Sequence, residues 1–522
     1  MISEASQPFP RAAASPLTRD TDQRRAWFVF ALPAVMIVLL ILVSLIGRAA
    51  AVPFLLVLVP LVLWSAFRDT ERAIYVYIAW CWMDGTIRGV FGSNPVIAVA
   101  RDLILAVITV GWAVQRLGAL NTDRLRPPPG TLLVALFTVN ALLQIFNPFS
   151  LGLVQSLGGL KVHLSPLPLF FIAYDVIRRR GQVRSLFLFL TLATVVISLV
   201  SIVQYEQGRD WTFAHFPGAK EVISLNVNAS AGSGLNSDDT FKPPGTTTFG
   251  GGTASFAGFV FPLTFVMLLL SRGARLSSRM RGFFGLILFC FIITFFVNSL
   301  RSALVEAALC VAACSMFVGS RTRKRVLAGV GFCLVLGMIG WGTSQTITHG
   351  GSSDRFGSLL TNPQKALHDD RKTFFDQFGD IVTKAPMGVG LGRTGAVAGH
   401  FGTISTDIGF TAFSEAYLGS MIYETGIIGA ILISLIALSF LVRGYAALQR
   451  LTDVDDKLLA AALFSILFTL VANFFFQPVL LVLPGSVLFW LFGAVLLRVY
   501  VPFRPDYERG MQLQQNEQRG TL

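Results

Sequence analysis

The chain has 522 residues, of which 53% are hydrophobic and 14% charged, and its mean hydropathy is +0.65. Soluble domains carry about 25% charged residues, so the composition excludes a water-soluble globular protein, a disordered or collagen-like chain and a small disulfide scaffold, and leaves a polytopic membrane protein. Lys and Arg number 42 against 29 Asp and Glu, a net charge of +13, which in such a chain points to the positive-inside rule before nucleic acid.

The polar N-terminal tail, 1–26, carries Arg11, Arg19, Arg24 and Arg25. The apolar run from Trp27 is too long for a signal-peptide core and lacks a clear small-residue cleavage site, so it reads as the first spanning helix. A span needs about 20 apolar residues. Runs bounded by charges or turn residues predict an all-α architecture of about 14 transmembrane helices, at 27–47, 50–67, 73–91, 96–115, 131–147, 163–177, 185–205, 248–271, 282–300, 302–319, 326–343, 413–442, 457–475 and 479–499. Asp84 and Arg88 interrupt the third run, and Pro166 and Pro168 fall in the sixth. The chain thus divides into an N-terminal bundle (27–205), an outer loop (206–247), helices carrying a turn at Arg301 (248–343), a large, partly helical outer loop (344–412), C-terminal helices (413–499) and a tail (500–522).

The short loops alternate in charge. Arg68 and Arg72, Arg116, Arg178 to Arg180, Arg272, Arg321 and Arg443 all fall on the side that an even number of spans shares with both termini, with 28 of the 42 basic residues on it. That side is expected to be cytoplasmic. All five histidines, His163, His215, His349, His368 and His400, are expected on the other side, where chemistry would take place. The five cysteines lie inside apolar runs and read as packing residues, with no metal site implied. Gly390-Leu-Gly-Arg-Thr-Gly395 fits GxGxxG but lacks a strand before it and a helix after it, so it reads as a flexible glycine loop rather than a dinucleotide site.

The informative charges are those outside the basic loops. Arg301 stands in the turn Asn298-Ser-Leu-Arg-Ser302 between two spans. Its guanidinium suits a phosphate, and snorkelling to the interface is the alternative. Arg355 and Arg371 lie in the large loop, and Arg393 in its glycine segment. Lys242 opens Lys242-Pro-Pro-Gly-Thr-Thr-Thr248 just before a span. Asp84 and Arg88, four residues apart, face one side of a helix and read as a buried structural pair, with Arg101 and Asp102 nearby. Glu415 sits at the mouth of a span, and Glu424 lies deeper in it, where an acid is a functional candidate or bonds to a neighbouring helix.

In this order the segments resemble the O-antigen ligase and polymerase superfamily of bacterial polysaccharide assembly. The resemblance covers about 240–430 and rests on four features. They are Lys242-Pro-Pro-Gly-Thr-Thr before a span, the Arg301 turn, Asp354-Arg-Phe-Gly through Arg371 to Ala385-Pro-Met-Gly-Val-Gly-Leu-Gly392, and Glu415-Ala-Tyr-Leu418 followed by Tyr423-Glu-Thr-Gly-Ile-Ile-Gly429. It implies a multi-pass protein of the bacterial inner membrane that polymerises or ligates polyprenyl-diphosphate-linked glycans at the outer face, without cofactor or metal, for O-antigen or exopolysaccharide assembly. A polysaccharide flippase and a chain-length regulator are the partners it implies, besides membrane lipid. Arg301, with Glu415 or His400 as the base, is then expected to be catalytic, and Lys242, Arg355, Arg371, Arg393, Tyr417 and Glu424 to bind substrate. Ser414 stands where ligases of the family carry histidine, which favours a polymerase-like member. A secondary transporter and a non-enzymatic component of an export complex are the competing readings.

Overall fold

The computed structural model describes residues 16–91, 95–118, 127–220, 241–248, 251–270, 278–318, 320–347, 379, 382–394, 397–398 and 416–501. Among these the regular structure is helical, without a strand. In chain order the α-helices are α1 (Pro16–Ile46), α2 (Ala51–Arg68), α3 (Thr70–Val90), α4 (Pro95–Gly118), α5 (Thr131–Leu143), α6 (Leu153–Leu164), α7 (Pro168–Val176) and α8 (Arg180–His215). After them come α9 (Gly252–Leu269), α10 (Ser278–Val297), α11 (Arg301–Phe317), α12 (Ser320–Ile347), α13 (Tyr417–Arg450), α14 (Val454–Ala472) and α15 (Gly485–Val499).

Each apolar run of the sequence falls on a helix. Among the described residues seven helical stretches are long and apolar enough to cross a membrane: Trp27–Phe54, Leu153–Val176, Arg180–His215, Gly252–Leu269, Ser278–Val297, Tyr417–Arg450 and Val454–Phe475. Five shorter apolar helices accompany them. The sixth run is extended by the structure: its helix starts at Leu153, about ten residues earlier than the apolar pattern, because Lys161 and His163 find partners inside the bundle.

Helix α3 shows how a polar helix comes to lie at the centre. Asp69 caps it, accepting from Glu71 N and Arg72 N at 3.1 and 3.3 Å, which satisfies two donors that a helix start otherwise leaves open. From Ala73 to Ile87 every residue is buried, against α1, α2, α4, α7 and α8. A helix buried all round need not be amphipathic. Two of its polar side chains find partners inside the bundle: Trp82 Nε1 donates to Thr194 Oγ1 at 2.8 Å, and Asp84 pairs with Arg88 at 2.8 Å, as their spacing predicts. Arg101 also faces Asp84, at 4.0 Å, and reaches Asp102, whose other oxygen is 2.9 Å from Lys161 Nζ of α6.

The contacts sort into two ends of the bundle. At one end the basic loops meet acids: Arg178 binds Asp175 at 2.6 Å, Arg116 pairs with the same Asp175, Arg180 pairs with Asp456, and Gln182 Nε2 donates to Glu71 at 2.8 Å. Trp112 Nε1 donates to the same Asp175 at 2.8 Å. The other end gathers the starts of α6, α9, α11 and α13 with the ends of α5, α8, α10 and α14. The five cysteines are free, and Cys310 Sγ donates to Thr469 Oγ1 at 3.1 Å.

Candidate functional site

The glycine segment of the large loop is built into the bundle. Residues 388–394 are buried, so the loop expected to be flexible is fixed. What fixes it is a break in α13. Gly426 has φ 74° and ψ −178°, inside the helix, a conformation essentially confined to glycine. The break frees backbone groups that a continuous helix would pair internally. The loop takes them up: Val389 N donates to Tyr423 O at 2.8 Å, and Ile427 N donates to Pro386 O at 3.0 Å. The approach is close on both sides. A Cβ on Gly388 would meet Gly426 N at 2.6 Å, and one on Gly426 would meet the Met387 carbonyl carbon at 2.6 Å.

The loop is held on its other flank by the α5–α6 region. Gln144 Nε2 donates to Met387 O at 2.8 Å, Asn147 Nδ2 to Gly388 O at 3.0 Å, and Gln155 Nε2 to Gly392 O at 2.7 Å. Gly159 lets α6 approach, since a Cβ there would stand 2.2 Å from Gly392 N. Gln155, Gly159 and His163 recur every four residues, so one face of α6 lines the loop.

Glu424 ties these parts together. It is 2% exposed. Its Oε1 accepts from Thr394 N at 2.7 Å and from Thr394 Oγ1 at 2.6 Å, and its Oε2 lies 2.8 Å from His163 Nε2. The acid is therefore bonded to a neighbouring helix and to the loop, within the protein. His163 is buried, on the opposite face of α6 from Lys161.

A second group of motifs meets at the same end. Pro243 to Thr247 are buried, and Gly245 exchanges two bonds with Gln204 of α8, at 2.8 and 3.0 Å. Thr246 Oγ1 donates to Trp82 O, and Thr246 O accepts from Gly85 N at 2.9 Å, within α3. Lys242 is half-buried at the edge of this turn. Gly251 N donates to Pro243 O at 3.4 Å, and Gly251 abuts the Asn298–Leu300 turn that precedes Arg301. One turn into α11, Glu306 accepts from Asn473 Nδ2 at 3.2 Å, and Tyr417 N donates to Gln477 O at 3.0 Å. Tyr417 itself is buried, its ring 4.9 Å from that of Phe474.

Of the residues singled out by sequence, the structure brings Arg393 and Glu424 into one junction, and the Lys242 and Arg301 turns and Tyr417 into its surroundings. Arg301 is the first residue of α11, and its side chain lies outside the described residues. Arg355, Arg371, His400 and Glu415 also lie outside them, as does most of the helical-looking stretch 363–384, of which 379 and 382–384 are described and helical. Sequence reasoning missed the roles of His163, Thr394 and Gln155. For His163 and Gln155, the only signal was their presence in a helix that is mostly apolar. The open pocket lined by Arg68, Glu71, Arg116 and Asp175 is at the basic end, where Arg116 and Asp175 pair with each other, so it is not this site. No protein-family model matches the chain, and no curated protein matches it in sequence.

Proposed function

We propose that the chain is an integral-membrane glycosyltransferase that polymerises or ligates polyprenyl-diphosphate-linked oligosaccharide units, at the outer face of the bacterial inner membrane, for O-antigen or exopolysaccharide assembly. The observation that carries the reading is that the described motif segments, the Lys242 and Arg301 turns, 385–394 and Tyr417–Gly429, cluster at one end of the bundle, opposite the paired basic loops. In this reading fourteen helices span the membrane, the basic end with both termini is cytoplasmic, and the motif end faces out.

The chemistry is a glycosyl transfer. An acceptor hydroxyl oxygen forms a bond to the anomeric carbon as the bond from that carbon to the diphosphate breaks. The hydroxyl proton passes to a base, for which Glu415 is the first candidate and His400 the second. Arg301, Arg355 and Arg371 bind the diphosphate by charge-assisted bonds and stabilise the charge it gains on departure.

The test is lipid-linked oligosaccharide analysis in a deletion strain. Single repeat units are expected to accumulate, and Arg301→Ala is expected not to restore polymer. Normal polymer from Arg301→Ala at equal membrane abundance would remove Arg301 from the mechanism, and unchanged lipid-linked glycans in the deletion strain would overturn the function. The network of Asp84, Arg88, Arg101, Asp102 and Lys161, buried at Asp84 and half-buried elsewhere, favours a secondary transporter instead. That reading requires solute uptake in proteoliposomes with no change in glycan length.

A further inference from the structure

The glycine loop has donors that the protein does not use. Arg393 is 9% exposed. Its Nη2 donates to Phe149 O at 2.6 Å, but its Nε is sealed from solvent with no acceptor. Among the described residues no carboxylate lies within ion-pair distance of the guanidinium, and the acid bonded to the next residue, Glu424, is taken up by Thr394 and His163. The main-chain N–H groups of Gly390, Leu391 and Gly392 also make no hydrogen bond among the described residues, although all three residues are buried.

Buried N–H groups are almost always paired, and a buried guanidinium without a counter-charge is costly. Here the unused groups lie within four consecutive residues and all are donors. Successive main-chain N–H groups in a glycine-rich turn form anion-binding concavities. The guanidinium adds a full positive charge and a planar fork that suits phosphate. The adjoining α5–α6 connection exposes Phe146, Phe149 and Leu153, an apolar surface beside the charge.

We propose that Gly390–Arg393 is a phosphate-binding loop, which accepts the diphosphate of a polyprenyl lipid or the same group free in solution. Its assignment to the lipid-linked donor rests on the function proposed above; the anion site itself does not. The experiment is calorimetric titration of the full-length protein in detergent with two probes, inorganic pyrophosphate and farnesyl diphosphate. The wild type is expected to bind, Arg393→Gln to weaken binding at least tenfold, and Arg393→Lys to fall between. Without ligand, Arg393→Gln is expected to melt no lower than the wild type, because it removes an uncompensated charge, whereas a purely structural arginine would lower the melting temperature. Tighter binding of farnesyl diphosphate than of pyrophosphate assigns the site to a lipid, and equal binding assigns it to the diphosphate alone. Wild-type affinity in Arg393→Gln, or no binding of either probe by the wild type, overturns the proposal. Either result leaves the glycosyltransferase reading to its own test. Unchanged glycans in the deletion strain would defeat that reading and leave an Arg393-dependent anion site standing.

Discussion

Replacing Glu424 probes the buried junction through the one side chain that touches both of its flanks. The carboxylate holds Thr394 by two bonds, at 2.7 and 2.6 Å, and His163 by a third contact at 2.8 Å. A hydrogen bond to a charged group contributes about 1.5–3 kcal/mol. The three do not add, but Glu424→Ala also leaves the Thr394 N–H and the His163 ring buried without a partner, and breaking a buried pair costs ~3–5 kcal/mol. If ~3 kcal/mol of this is local to the loop, the closed loop loses about 100-fold in stability, at tenfold per 1.4 kcal/mol. Deuterium exchange in the full-length, detergent-solubilised protein reads this directly, since local opening exposes local amides. The Thr394 amide is expected to exchange about 100-fold faster, while the buried amides of α3 and α14 keep their rates. Glu424→Gln retains an oxygen for Thr394 and is expected near tenfold, the charge assistance being worth about half the bond. In combination with His163→Ala, a coupling of ~1–3 kcal/mol is expected for residues in contact. Exchange at Thr394 within threefold of the wild type in Glu424→Ala would refute the junction as drawn, as would equal loosening of every helix.

Gly426→Ala should be worse than a helix propensity scale predicts. Alanine is a better helix former than glycine, yet here the φ of 74° and the 2.6 Å approach to Met387 exclude a Cβ, so a loss of at least ~2 kcal/mol is expected, read as a lower melting temperature. A variant as stable as the wild type would show that the helix does not break at this position. The orientation of the two ends is checked with single cysteines. Ser150→Cys is expected to react with a membrane-impermeant maleimide in spheroplasts, and Arg179→Cys only after lysis. The reverse pattern would invert the proposed topology.

Local features were legible in the sequence because their causes are local. Hydrophobic run length located the helices, and a spacing of four residues paired Asp84 with Arg88. Charge asymmetry separated the loops that the structure gathers at one end with Asp175 and Asp456. The start of α6 was not legible. Its polar residues argued against an apolar span, and each is matched only by a distant partner: Gln155 by Gly392 and His163 by Glu424, 237 and 261 residues away. A buried polar group reads from sequence as a defect until its partner is known, and a partner that far away leaves no periodicity.

The two glycine motifs illustrate the same limit and also its resolution. Taken singly, Pro386-Met-Gly-Val-Gly-Leu-Gly392 suggests a mobile loop, and Glu424-Thr-Gly-Ile-Ile-Gly429 suggests a helix weakened by glycine. In the structure each supplies what the other lacks. The break at Gly426 leaves Tyr423 O and Ile427 N unpaired within the helix, and Val389 N and Pro386 O satisfy them. Gly388 and Gly426 are both without a side chain because each occupies the space that the other's Cβ would need. The loop is therefore rigid for the same reason that the helix is bent. That reciprocity is what brings Arg393 to a fixed, buried position beside an acid already bonded elsewhere, so that its charge is left for a ligand.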